Sequence, residues 1–267
     1  MLIYFPLSFN IKFEKGDILT QKKRIHTLDE LRGFCVFCMV FDHALFTHGY
    51  MFGSKVSRSL FNFFEHISPA FAAVFILICG ISCGLSRNNS KRGAKILLAA
   101  LAVSGVTLLI MPQMPIIFGI LHLLGVCVLL YAFLGKFIAK IPPVVGIAVC
   151  ILLFVLTCNI ENYYLGIGNL RYDIPKELYF GNDLMIFGLR SPVKAYSDYF
   201  PLLPWIFPFL AGTYLGKYAK EERFPLFMYK SRMKPLSILG QNAFFVYLIH
   251  QPLAYGVFYL ISLFGGN

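Results

Sequence analysis

Charge is what this chain has least of. Only 14% of its 267 residues are Asp, Glu, Lys or Arg, 58% are hydrophobic, and the mean hydropathy is +0.69. So little polar surface cannot cover a water-soluble globule, which leaves an integral membrane protein. Acids are the scarcer half, 13 against 24 basic residues, and no basic run is interleaved with aromatics. The net charge of +11 therefore reads as a topology signal and an attractor for anionic lipid, with no nucleic-acid partner. Disulfide or zinc spacing is missing too: of seven scattered cysteines, Cys35, Cys38, Cys79, Cys83, Cys127 and Cys150 fall inside apolar runs, where they serve as small packing residues. No positive charge precedes the apolar opening Met1 to Phe9; Lys22, Lys23 and Arg24 follow it, the reverse of a signal peptide. Residues 1–24 are read as a retained, basic interfacial segment and 25–267 as the membrane domain.

What is present is a set of apolar runs, each near the ~20 residues that cross a bilayer. Seven are expected, near 31–50, 67–86, 94–111, 116–134, 143–160, 200–217 and 237–262, with Pro112, Pro115, Pro142, Pro143 and Pro201 at their ends. The fold class is an all-α polytopic helical bundle. With the N-terminus cytoplasmic and the C-terminus extracytoplasmic, 18 of the 24 basic residues fall on the inner side, as the bias of short cytoplasmic loops toward Lys and Arg requires. Residues 161–198 form the one sizeable outer segment, rich in tyrosine, and are expected to cover an acceptor site.

Ionisable groups inside the spans are costly and mark function. Arg32 opens the first span and His43 lies deep within it, ten residues between them, or roughly 16 Å along a helix. His43, His122 and His250 fall at one expected depth, and Asp42 belongs to the same layer. Such a layer calls for a hydrated cavity, in which a neutral histidine takes a proton from an attacking hydroxyl or amine. Asp42 could orient an imidazole on a neighbouring helix, but not that of adjacent His43, which points about 100° away. No helix carries a ligand pair at metal-binding spacing, so no metal site is indicated. At the inner end, Asp29 and Arg32 are three apart and should pair, with Thr27 and Glu30 forming a capping box.

Two motifs are discounted. Gly80-Ile81-Ser82-Cys83-Gly84 has the spelling of a hydrolase elbow but sits in an apolar helix, where its glycines suit close packing. Gly166-Ile167-Gly168 is a bare G-x-G in a loop.

Several blocks then carry a resemblance. Asp29-Glu30-Leu31-Arg32-Gly33 with His43 resembles the R-x10-H signature of the acyltransferase-3 family. Leu31-Arg32-Gly33 with Met39-Val40, Gly80-Ile81-Ser82 through Leu85-Ser86-Arg87, Phe118 to His122, Asp198 to Trp205, and His250-Gln251-Pro252 together resemble small bacterial proteins related to the catalytic domain of heparan-alpha-glucosaminide N-acetyltransferase.

The resemblance implies transfer of an acyl group, usually acetyl, from cytosolic acyl-CoA to an amine or hydroxyl of an extracytoplasmic sugar or glycan, across the bacterial cytoplasmic membrane. It implies catalytic roles for His43, Asp42 and His122, with His43 as general base. Acetyl-CoA contacts are expected from Arg32, Arg87, Ser82 and His250, and acceptor contacts from Asp198, Trp205 and His48. In the animal heparan enzymes the position aligned with His43 looks like asparagine and the active histidine lies further on, which makes His48 the reserve base. Membrane lipid and a second copy of the chain are further partners it allows. The alternative is a proton-coupled transporter or flippase, for which the expected inverted repeat is not evident in the two halves.

Overall fold

In hydrocarbon every backbone amide must find its partner within the protein, and a long apolar run achieves this by coiling into a helix. The computed structural model describes residues 23–181, 184–194 and 196–264; the proposed N-terminal interfacial anchor, Met1 to Phe9, lies outside them. The described residues form nine α-helices: α1 (His26–Phe46), α2 (Lys55–Phe64), α3 (Ser68–Leu85), α4 (Asn89–Ile110), α5 (Ile120–Ile138), α6 (Pro143–Thr157), α7 (Leu202–Lys220), α8 (Lys234–Gln241) and α9 (Ala243–Phe264). A π-helical turn, Thr47–Met51, extends α1. The protein is an all-α membrane bundle, in which α1 with its extension, α3, α4, α5, α6 with the residues that continue it to Asn162, and α9 are long and apolar enough to span a bilayer.

One of the seven expected runs needs correction, and another is kinked. The run near 200–217 exists as α7 but does not qualify as a span by length and composition. Its first turn is interrupted at Leu203, and Pro208, Tyr214 and Lys217 interrupt its apolar character. It nevertheless runs antiparallel beside α6 over that helix's length: Trp205 meets Phe154 near one end, and Lys217 Nζ donates to the carbonyls of Ala139 and Ile141 at the other (2.7 and 3.2 Å). The run near 237–262 is kinked at Asn242, which divides it into α8 and α9 while helical hydrogen bonds continue across it, from the Asn242 N–H to the Ile238 carbonyl (3.2 Å) and from the Val246 N–H to the Asn242 carbonyl (3.0 Å). Both parts follow α1 in the same direction: Arg232 and Met233 at the start of α8 meet Glu30, Gly240 packs on Gly33, His250 meets His43 and Phe258 stacks on His48.

The expected capping box at the start of α1 does not form: Ile25 occupies the N-cap position with no side-chain bond. Glu30 instead serves another helix. Its Oε1 accepts from the backbone N–H groups of Arg232 (2.7 Å) and Met233 (2.9 Å) and from Ser231 Oγ (3.2 Å), satisfying donors at the start of α8.

Helix contacts in lipid gain nothing from expelling water, so they rely on close approach of backbones. Gly80 and Gly84 of α3 lie directly on Phe209, Gly212 and Gly216 of α7, and the two helices run parallel; the glycine face expected from the sequence is there. Beside this seam Ile76, Leu123, Val128 and Phe209 are fully buried, whereas Leu109 and Phe264 are 86% exposed on the lipid-facing surface.

The connection between α6 and α7 contains strands β1 (Tyr164–Ile167) and β2 (Leu170–Asp173), antiparallel with Tyr164 opposite Asp173. The discounted G-x-G is its turn. Gly166 and Gly168 both have positive φ, and a side chain at Gly166 would strike the carbonyl of Leu170.

Gly80→Ala must push α3 and α7 apart, because the new methyl would overlap the Phe209 carbonyl. We expect a loss of about 1–3 kcal/mol, whereas Gly105→Ala, with open space around it on α4, should be neutral or stabilising by up to ~1 kcal/mol. Thermal unfolding of both variants in detergent micelles checks the contrast.

Candidate active site

Residues three and four apart on a helix share one face. On α1 that rule aligns Cys35, Cys38, Met39, Asp42, His43 and Phe46 along one wall of a cavity of about 370 Å³. Glu65, Ser68, Phe71 and Phe75 close it from the α2–α3 region, Tyr247 and Gln251 from α9, and Ser197, Asp198 and Phe200 from the segment leading into α7.

Two histidines meet in this wall. His43 Nδ1 lies 3.1 Å from His250 Nε2, with ring centroids 4.9 Å apart, and His250 Nδ1 lies 2.7 Å from the carbonyl oxygen of Tyr247. A carbonyl only accepts, so His250 Nδ1 carries the proton. A neutral His250 then offers only a lone pair at Nε2, and His43 must donate to it from Nδ1. The neutral pair is therefore held with His43 Nε2 unprotonated.

His122 is differently placed, in the first turn of α5. Its Nδ1 accepts from the N–H of Gly119 (3.2 Å), and its Nε2 meets Ser104 Oγ (3.1 Å), which in turn donates to the Ile116 carbonyl (2.5 Å). Both ring nitrogens are engaged in holding the start of α5 to α4. Asp42, expected to orient an imidazole, makes no such bond; its Oδ1 is buried without a hydrogen-bond partner.

Asp198 lies in the connection before α7, in a left-handed backbone conformation (φ 50°). It faces Gly119 so closely that a side chain there would overlap it, and it accepts a hydrogen bond from the Tyr247 hydroxyl. Burial pushes its carboxyl above the usual carboxylate range, opposed by the Tyr247 hydroxyl and the Ile120 N–H.

At the other end of α1, Arg32 donates from Nη1 to Asp29 Oδ1 (2.9 Å) and from Nη2 to Ser82 Oγ (2.9 Å). The expected Asp29–Arg32 pair is present, and Ser82 touches the guanidinium. Arg87 lines a separate open depression with Asn88, Asn89, Tyr131 and Lys136. Two expected acceptor contacts stand outside the cavity wall. Trp205 packs between Phe154 and Phe200, and His48 stacks on Phe258 while bonding Ser57 Oγ (2.8 Å), which ties α2 to the end of α1. Sequence reasoning overlooked Tyr247, Glu65 and Arg92. Tyr247 is one helical turn before His250, a spacing that could have drawn it in.

The comparisons with known proteins bear on this arrangement. Residues 24–252 match the family described as heparan-alpha-glucosaminide N-acetyltransferase, catalytic. The chain belongs to this family. The match takes in Arg32, His43, Asp198, Tyr247 and His250, so the cavity and both ends of α1 lie within it. No curated protein and no solved structure matches the chain. Membership makes this an integral membrane protein of an acetyltransferase family.

Tyr247→Phe removes one of the two donors to a buried carboxyl, and we expect it to lower stability by about 1–3 kcal/mol. In a double-mutant cycle with Asp198→Asn the two changes should be non-additive by at least ~0.5 kcal/mol. Thermal unfolding of the four proteins reads the coupling.

Proposed function

We propose that the protein transfers an acetyl group from cytosolic acetyl-CoA to an amine or hydroxyl of an extracytoplasmic sugar or glycan, with His43 as general base. The N-terminus is then cytoplasmic, the C-terminus extracytoplasmic, and the bilayer the bacterial cytoplasmic membrane. Family membership supports the reaction class. The observation that carries the role of His43 is the bond sequence His43 to His250 to the Tyr247 carbonyl, which leaves the His43 Nε2 lone pair available.

The donor supplies an activated thioester. Its phosphates suit Arg32 at one end of α1, with Ser82 steadying that guanidinium. Its slender arm suits the cysteine- and methionine-lined wall that begins at Cys35, one turn beyond Arg32, and ends at His43. His43 Nε2 takes the proton of the acceptor hydroxyl or amine as that atom attacks the thioester carbon, and as the carbon–sulfur bond breaks the proton passes to the departing coenzyme A sulfur, which leaves as the thiol. The imidazolium formed between these steps keeps its Nδ1–H bond to His250. Gln251, beside His43, has a buried Oε1 with no partner and can accept from the new N–H. Asp198, Asp42 and Glu65, all on the cavity wall, are the acceptors available to hydroxyls or an ammonium of the incoming sugar. His250 in this reading positions the base.

Acetyl-CoA-dependent thiol release and acceptor labelling in lipid nanodiscs, with glucosamine-type acceptors, test the reading. His43→Ala should lose about 10²–10⁴-fold in kcat, and His250→Ala should lose less while binding acetyl-CoA normally. Full activity in His43→Ala would move the base elsewhere, and a folded wild type that binds no acetyl-CoA would overturn the reaction.

A further inference from the structure

A guanidinium taken out of water needs acceptors for its donors and a counter-charge. Arg92, in the first turn of α4, turns its side chain toward α3, where Nη2 meets Cys79 Sγ (3.3 Å) and Nη1 meets Cys83 Sγ (3.7 Å). Thiol sulfur is a weak acceptor. Among the described residues Arg92 makes no ion pair.

Cys79 lies between Arg92 and Arg32, within electrostatic range of both, and the two guanidiniums are near enough to repel each other. Arg32 is only partly compensated. Its carboxylate, Asp29, is shared with Arg24 (2.7 Å), and its second bond goes to a neutral hydroxyl. The neighbouring acid, Glu30, is committed to the backbone at the start of α8. Two guanidiniums thus share one carboxylate with a third, Arg92, near Arg32, and the Arg32 side chain remains 22% exposed.

We infer that Arg32 and Arg92 form a two-armed site for a phosphate-class anion. Two planar forks on different helices suit a pyrophosphate better than a single phosphate, because each fork can take its own phosphoryl group. The inference rests on the proposed function only for the source of the anion, which is acyl-CoA in that reading and a lipid headgroup otherwise. Arg92 becomes a binding residue on α4, so that ligation would clamp α4 to α1 across α3.

The test uses the full chain in nanodiscs of phosphatidylcholine, titrated with pyrophosphate and with coenzyme A by calorimetry, for wild type, Arg92→Gln and Arg92→Lys. We expect pyrophosphate to bind the wild type about tenfold more tightly than Arg92→Gln, with Arg92→Lys, which keeps the charge and loses the fork, in between. Equal affinity in all three, or no pyrophosphate binding by the folded wild type, overturns the site. If coenzyme A shows the same order, the acyl donor supplies the anion. If pyrophosphate shows it and coenzyme A does not bind, the site stands while the proposed reaction falls. Phosphatidylglycerol that stabilises wild type but not Arg92→Gln would then identify the headgroup. Should Arg92→Gln not fold, Arg92→Lys alone decides, with unchanged affinity for both ligands counting against the site.

Discussion

The site depends on how closely α8 and α9 follow α1. Glu30 fixes the start of α8 beside the start of α1 by taking two of its backbone donors, and Gly33 and Gly240 let the two backbones touch. Helical hydrogen bonds continue across Asn242 into α9, which runs on beside α1 in the same direction and brings His250 to His43. A carboxylate half a span away from the cavity thereby helps to set which residue stands beside His43.

Polar groups in the bundle are distributed by the same economy of acceptors. Ser104, His122, Ile116 and Gly119 close a small network that secures the turn into α5, and Tyr247 serves two partners at once, its hydroxyl bonding Asp198 and its carbonyl bonding His250. Two of the buried polar atoms left without partners, Asp42 Oδ1 and Gln251 Oε1, belong to residues lining the cavity, whereas His26 Nδ1, Asn89 Oδ1 and the Tyr229 hydroxyl lie away from it.

Much of this was legible in the sequence where a single period or composition governs. Apolar runs gave the helices, glycine spacing gave the α3–α7 seam, and the i, i+3 pair of Asp29 and Arg32 formed as spaced. The kink at Asn242 was legible and passed over, since Gly240-Gln241-Asn242 interrupts the apolar run; the role of Glu30 was not, because its partners Ser231, Arg232 and Met233 lie some two hundred residues away. The hairpin was legible and passed over: Gly168-Asn169 between two short β-prone stretches is a two-residue turn signal. Depth counting put three histidines at one level, yet contact depends on the direction each helix face takes, which brought His250 to His43 and turned His122 to Ser104. Arg92 was hidden among basic residues read only as topology.

The hydrogen-bond chain behind His43 has an end. It runs through His250 to the Tyr247 carbonyl, an oxygen that holds a hydrogen bond but passes no proton onward. An imidazole pair inside a membrane would otherwise be a ready start for a wire that drains the transmembrane proton gradient. Here the wire is cut after two rings, so in the proposed reaction a proton accepted at His43 Nε2 leaves through the cavity by which it came, and the acid–base chemistry proposed there would leave the bundle insulating.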